Sequence, residues 1–157
     1  MKKFLVIAVS FLIVAAWGGK VSAAGQFDHI ISAADVEKLT GLKGVKQVPR
    51  EPLNKFRNGD LNFVMSNDQP LLMIQFRPAF VLDDMKADSG YYKAPLKGIG
   101  DEAFTSPAFA PQFSVNFQKG SYVAVVTTVI DPRDNKKTVL TMDQLIALAK
   151  LVASRMP

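Results

Sequence analysis

The sequence predicts an α+β domain: an antiparallel sheet with a short N-terminal helix and a long C-terminal helix packed on it. Three patterns carry that expectation. Between 112 and 118, Phe113, Val115 and Phe117 alternate with polar residues up to Lys119-Gly120, and a β-branched run follows over 122–130, as in a hairpin. Two further apolar runs, 61–65 and 71–77, flank the turn Asn67-Asp68-Gln69-Pro70. Finally, Thr141 and Gln144 have the spacing of a capping box ahead of Leu145, Leu148, Ala149 and Val152, which recur at i, i+3, i+4, i+7. Strands bracketed by helices in this way indicate helices on an antiparallel sheet, not a βαβ alternation.

The chain opens on what reads as a cleavable secretory signal peptide, residues 1–23. Lys2 and Lys3 precede an apolar and small-residue run over 4–17, and Val21-Ser22-Ala23 gives the small-residue cleavage site. A run of 14 residues is short of the roughly 20 that span a bilayer. The expectation is therefore cleavage after Ala23, no stable membrane anchor afterwards, and a single globular domain over 24–157 that is periplasmic or secreted. The mature part carries 16 Lys and Arg against 14 Asp and Glu, a net charge of +2, because Lys2, Lys3 and Lys20 lie in the signal. No basic stripe stands out in it, so no nucleic acid is expected as a partner. The sequence has no cysteine, which excludes disulfides, thiolate nucleophiles, iron–sulfur clusters and cysteine-bound zinc.

After a lead-in over 24–31, expected to be mobile, Ser32 is placed to cap a helix over 33–40. Asp35 lies in its positive first turn and Gly41 makes its left-handed stop. Residues 42–59 are irregular, with a short strand expected at 45–48 before Pro49. Strand 71–77 has apolar residues on nearly both faces and so is expected to be central and covered on two sides. A short helix over 79–89 would carry Phe80, Leu82 and Met85. A loop is expected over 89–95, a strand over 101–105 ended by Pro107, and an exposed polar loop over 131–137.

Chemistry is harder to find. His29 is the single histidine, lies in the lead-in, and has no G-x-S-x-G elbow to serve. The adjacent pairs Asp83-Asp84 and Asp101-Glu102 point apart in any regular element, whereas acid–base catalysis needs carboxyl groups that face each other. Gly98-Ile99-Gly100 lacks the rest of a phosphate loop and reads as a turn entering a strand. Met65, Met73, Met85, Met142 and Met156 read as core filling and not as a copper site. No catalytic residue, no metal ligand and no cofactor is assigned. What remains is an aromatic cluster on glycine- and proline-containing loops: Tyr91, Tyr92, Phe104 and Phe109, interspersed with Pro95 and Pro107. Aromatic rings on loops are the usual anchors of binding surfaces. The alternative is that these rings plug the open end of the sheet.

Three pieces come in a familiar order: Gly98-Ile99-Gly100-Asp101-Glu102-Ala103-Phe104, the Phe117-Gln118-Lys119-Gly120 turn with its valine-rich strand, and the 145–156 helix. With the Ser32-to-Gly41 helix they resemble small exported α+β domains of unknown function found in bacterial lipoproteins and extracellular sensor modules. The resemblance spans residues 30–156 and implies an extracytoplasmic α+β domain with no known catalytic residues. The expected function is a non-enzymatic domain binding a protein partner or a small apolar ligand. An accessory or scaffold subunit of a larger envelope assembly is the alternative, and a hydrolase-type enzyme the third.

Overall fold

The computed structural model describes residues 25–88, 90–109, 112–131 and 134–157, the side chains of 107–109, 112 and 134–136 excepted. The signal peptide expected over 1–23 lies outside the described residues. In chain order the elements are α1 (Ala33–Thr40), β1 (Lys46–Val48), β2 (Leu61–Val64), β3 (Pro70–Pro78), α2 (Val81–Ala87), β4 (Ala94–Leu96), β5 (Glu102–Phe109), β6 (Gln112–Lys119), β7 (Tyr122–Asp131), β8 (Asp134–Thr138) and α3 (Met142–Arg155). The protein is α+β with an antiparallel sheet and three helices among the described residues.

The sheet runs β1-β2-β3-β7-β6-β5-β4, and β8 pairs with the end of β7. Strands β1 to β3 form one meander. Helix α2 then carries the chain to the far edge, and β4 to β7 meander back until β7 lies beside β3. Register makes rows across four strands: Phe76, Ala124, Phe117 and Ala103 in one, Ile74, Val126, Val115 and Thr105 in the next. The apolar members of these rows are buried with Leu145, Leu148, Ala149 and Val152 of α3 in one core. Each fully buried leucine or phenylalanine there contributes about 1.5–3 kcal/mol of transfer free energy.

Local chemistry fixes the ends of the helices. The Ser32 hydroxyl accepts from Asp35 N while Asp35 Oδ2 accepts from Ser32 N, and Gly41 closes α1 at φ 74°. Gln144 Oε1 accepts from Thr141 N, and Gln144 Nε2 donates to Thr40 O at 2.8 Å, so the cap of α3 also ties it to α1. Arg155 adds a second tie, donating to both oxygens of Asp35 at 2.7 and 3.0 Å and to Ile30 O.

Four expectations need correction. The lead-in is packed: Phe27 stacks on Phe76 with centroids 4.1 Å apart and meets the edge of Tyr122, while Ile30 and Ile31 are buried. Its apolar side chains cover the end of β3 that the helices leave open. Strand β5 continues through Pro107, because β4 pairs only with 103–105 and the β5–β6 register shifts between Ser106 and Phe109. Proline is tolerated at such an edge or bulge, where no ladder N–H is missed. The end of the loop expected over 89–95 instead pairs as part of the edge strand β4, Ala94–Leu96, with Pro95 in it. The polar run over 131–137 includes β8, a short charged edge strand of the kind that blunts pairing with other chains.

Candidate binding surface

The second face of the sheet carries Phe104 and, on it, Tyr92. Leu82 projects from α2 onto Phe104 of β5 and Val123 of β7, forming a small separate core with Met85 and Val125 packed against it. Helical geometry explains the choice of inward residues. Leu82 and Met85 are three apart and share a face, while Phe80 lies two residues from Leu82, some 200° around the axis. Phe80 accordingly caps the helix start and stands 73% exposed.

After α2 the chain turns back over this core on Asp88. Its carbonyl accepts from Tyr91 N at 2.8 Å and Tyr92 N at 3.2 Å, and its side chain accepts from Gly90 N at 2.8 Å. Lys93 N then donates to Thr105 O and leads into β4. This turn holds Tyr91 at 41% and Tyr92 at 37% exposure, with the Tyr92 ring on that of Phe104, centroids 5.3 Å apart and planes at 40°. Beneath them Lys86 Nζ lies 2.7 Å from Glu102 and 3.9 Å from Asp83. The hydrogen bond to Glu102 raises the lysine pKa above its ordinary value, so the ammonium is charged throughout the physiological range.

Of the four aromatic residues singled out by sequence, the structure brings Tyr92 and Phe104 into contact and sets Tyr91 beside them. Phe104 is buried to 1% and acts as the floor on which Tyr92 rests. Phe109 lies five residues further along β5, roughly 17 Å away at strand rise. Its side chain is outside the described residues. Sequence reasoning placed Phe80 among the residues carried by α2 without separating it from the inward pair, although its offset from Leu82 contains that information.

The other residues weighed for chemistry serve the fold. His29 is exposed. Asp101 accepts from Gly120 N at 2.7 Å and thereby joins the 97–101 turn to the β6–β7 hairpin. Gly100 has no room for a side chain there: a Cβ would lie 2.1 Å from Gln118 O. Met73 and Met156 are buried, and Met65, Met85 and Met142 pack against the two cores. Among the described residues no group of three or more His, Asp or Glu side chains is placed to hold a metal ion, and no helix is long and apolar enough to cross a membrane. No family model, curated protein or solved structure matches the chain.

Proposed function

We propose that this chain is an exported, non-enzymatic domain that binds a protein partner on the surface around α2, with Tyr91, Tyr92 and Phe80 as its contact residues. The observation that supports the reading most is the Tyr91-Tyr92 pair. Two adjacent tyrosines are held half-exposed by three hydrogen bonds to one aspartate, and one of them rests on a buried phenylalanine. A tyrosine fixed in this way offers a large amphipathic contact with little rotamer entropy left to lose on binding, and tyrosine is enriched at the energetic centres of interfaces. Phe80 stands exposed at the other end of α2, a helix about 10 Å long. The signal-like residues 1–23 support export, and with it a partner in the periplasm or the medium.

The test compares binding with stability. Tyr92→Ala should weaken binding to the partner by more than ~1 kcal/mol, a loss of more than about fivefold, while the urea midpoint moves little. Phe104→Ala should instead destabilise the fold. Unchanged partner affinity in Tyr92→Ala and in Tyr91→Ala would refute the proposed surface. Recovery of the protein with Met1 intact on membranes, and not with Ala24 at its N-terminus in soluble fractions, would refute export.

A further inference from the structure

The loop between β1 and β2 is built inside out. Its polar groups bond to one another, and its one aliphatic side chain is turned to solvent. Glu51 N donates to Arg57 O at 2.7 Å, Asn54 N to Glu51 O, and Arg57 N to Asn54 O. Glu51 accepts from Arg57 Nη1 at 2.9 Å and from Asn54 Nδ2 at 3.0 Å, and Asn54 Oδ1 accepts from Phe56 N. Arg57 Nη2 anchors the whole to Asp68 O at 2.8 Å. At the tip, Leu53 follows Pro52 and has 103% of its reference exposure. So dense an internal network fixes the loop's shape, and that shape keeps the leucine out.

Charge accompanies the protrusion. Arg50 and Lys55 are exposed on this loop and Lys46 on the strand that leads into it, and the Lys55 ammonium lies 4.8 Å from the centre of the Phe56 ring. Two of the nearby carboxylates are countered, and Asp68 is exposed. Glu51 is bonded to Arg57, and Asp60, only 10% exposed, lies 3.6 Å from both Arg50 and Arg77. Residues 50–57 carry Arg50, Lys55 and Arg57 against Glu51, a local charge of +2, equal to the net charge of the whole mature chain.

We propose that the 50–57 loop docks reversibly on an anionic lipid surface, with Leu53 entering the headgroup region and the surrounding cations meeting the phosphates. An aliphatic side chain flanked by Lys and Arg is the composition of interfacial membrane contacts. Protein interfaces favour Trp, Tyr and Arg in packed centres and are poor in leucine anchors. A bilayer supplies the apolar surroundings that one protruding leucine lacks. Like a single acyl chain, one leucine with a few cations gives weak, salt-sensitive attachment. The proposal stands on residues separate from the tyrosine surface and is independent of it.

The experiment is co-sedimentation of the protein with vesicles of phosphatidylcholine alone and of equal parts phosphatidylcholine and phosphatidylglycerol. Binding is expected to the anionic vesicles only, to fall about tenfold in Leu53→Ala, and to disappear at about 0.5 M salt. Trp17 is the sole tryptophan, so Leu53→Trp adds a reporter read against the parent protein, and its emission should shift to the blue on anionic vesicles. Because position 53 is fully exposed, both variants should fold like the parent, which circular dichroism checks. Equal binding to the two vesicle types, no vesicle binding, or anionic binding unchanged in Leu53→Ala with no blue shift in Leu53→Trp would each overturn the proposal. Leu53-dependent binding to polyglutamate without vesicle binding would overturn it too, and would assign the loop to an acidic protein instead.

Discussion

Truncating Leu148 to alanine probes the joint between α3 and the sheet. Leu148 is fully buried, in one core with Leu145, Val152, Val115 and Phe117. The substitution removes three carbon groups, worth about 2.4 kcal/mol of transfer free energy at ~0.8 kcal/mol each. If roughly half of the ~80 Å³ vacated persists as a cavity, a further ~1 kcal/mol is lost. The sum, about 3.4 kcal/mol, falls inside the range of about 2–5 kcal/mol for buried leucines. With an m-value of about 1.5 kcal/mol per molar, the urea midpoint should drop by roughly 2 M. Circular dichroism is the suitable probe, because the chain's only tryptophan, Trp17, lies far from α3 in sequence, within the residues expected to be a signal peptide. Lys150→Ala, on the exposed side of the same helix, should change stability by less than ~0.5 kcal/mol. A loss below about 0.5 kcal/mol for Leu148→Ala would show that α3 is not packed as described.

The second-face core gives a parallel expectation: Phe104→Ala should cost about 3–5 kcal/mol in urea melts, and Tyr92→Ala about 1 kcal/mol or less. Equal losses would mean that Tyr92 is a core residue and not a surface one. A third expectation concerns pH. Arg155 first, and then the Ser32 backbone N–H, hold the Asp35 carboxyl well below the usual carboxylate range. A depressed native pKa makes a contribution that is fully present above the unfolded value of about 3.9 and is lost as pH falls below it. The stability advantage of the parent over Asp35→Asn should therefore be constant near neutrality and shrink below about pH 4. An advantage that persists unchanged in acid would contradict the pairing.

The elements legible in the sequence were those whose local signals agreed with their tertiary use. The Thr141–Gln144 cap, the apolar stripe of α3, the β6–β7 hairpin and the Ser32 cap all combine a propensity with a periodicity. Strands β4 and β8 were not legible because neither has an apolar alternation. Ala94–Leu96 contains a proline and Asp134–Thr138 is polar throughout, so each exists only because a neighbouring strand offers an open ladder. Phe27, Ile30 and Ile31 were misread for a related reason: they join a core assembled from distant parts of the chain, Phe27 stacking on Phe76, 49 residues away, which no local pattern announces. Within the aromatic cluster, composition located Tyr91 and Tyr92 on a turn, but exposure depends on what lies beneath. Phe104 alternates into a face that α2 covers, and only the crossover of α2 from β3 to β4 decides that. Leu53 illustrates the reverse case: an apolar residue in a polar loop gives no sign of facing outward until the hydrogen bonds from Glu51 to Arg57 are known.

Photo-crosslinking in intact cells tests the proposed binding surface most directly. A photoreactive phenylalanine analogue placed at position 91, at position 80 and, as a control, at Lys38 on the exposed side of α1 samples the proposed surface and a surface remote in sequence. The account predicts one discrete adduct, the same from positions 91 and 80, found in the periplasm or medium and absent from position 38. No adduct at 91 and 80, or the same adduct from all three positions, would contradict a binding surface built on the tyrosine turn and α2.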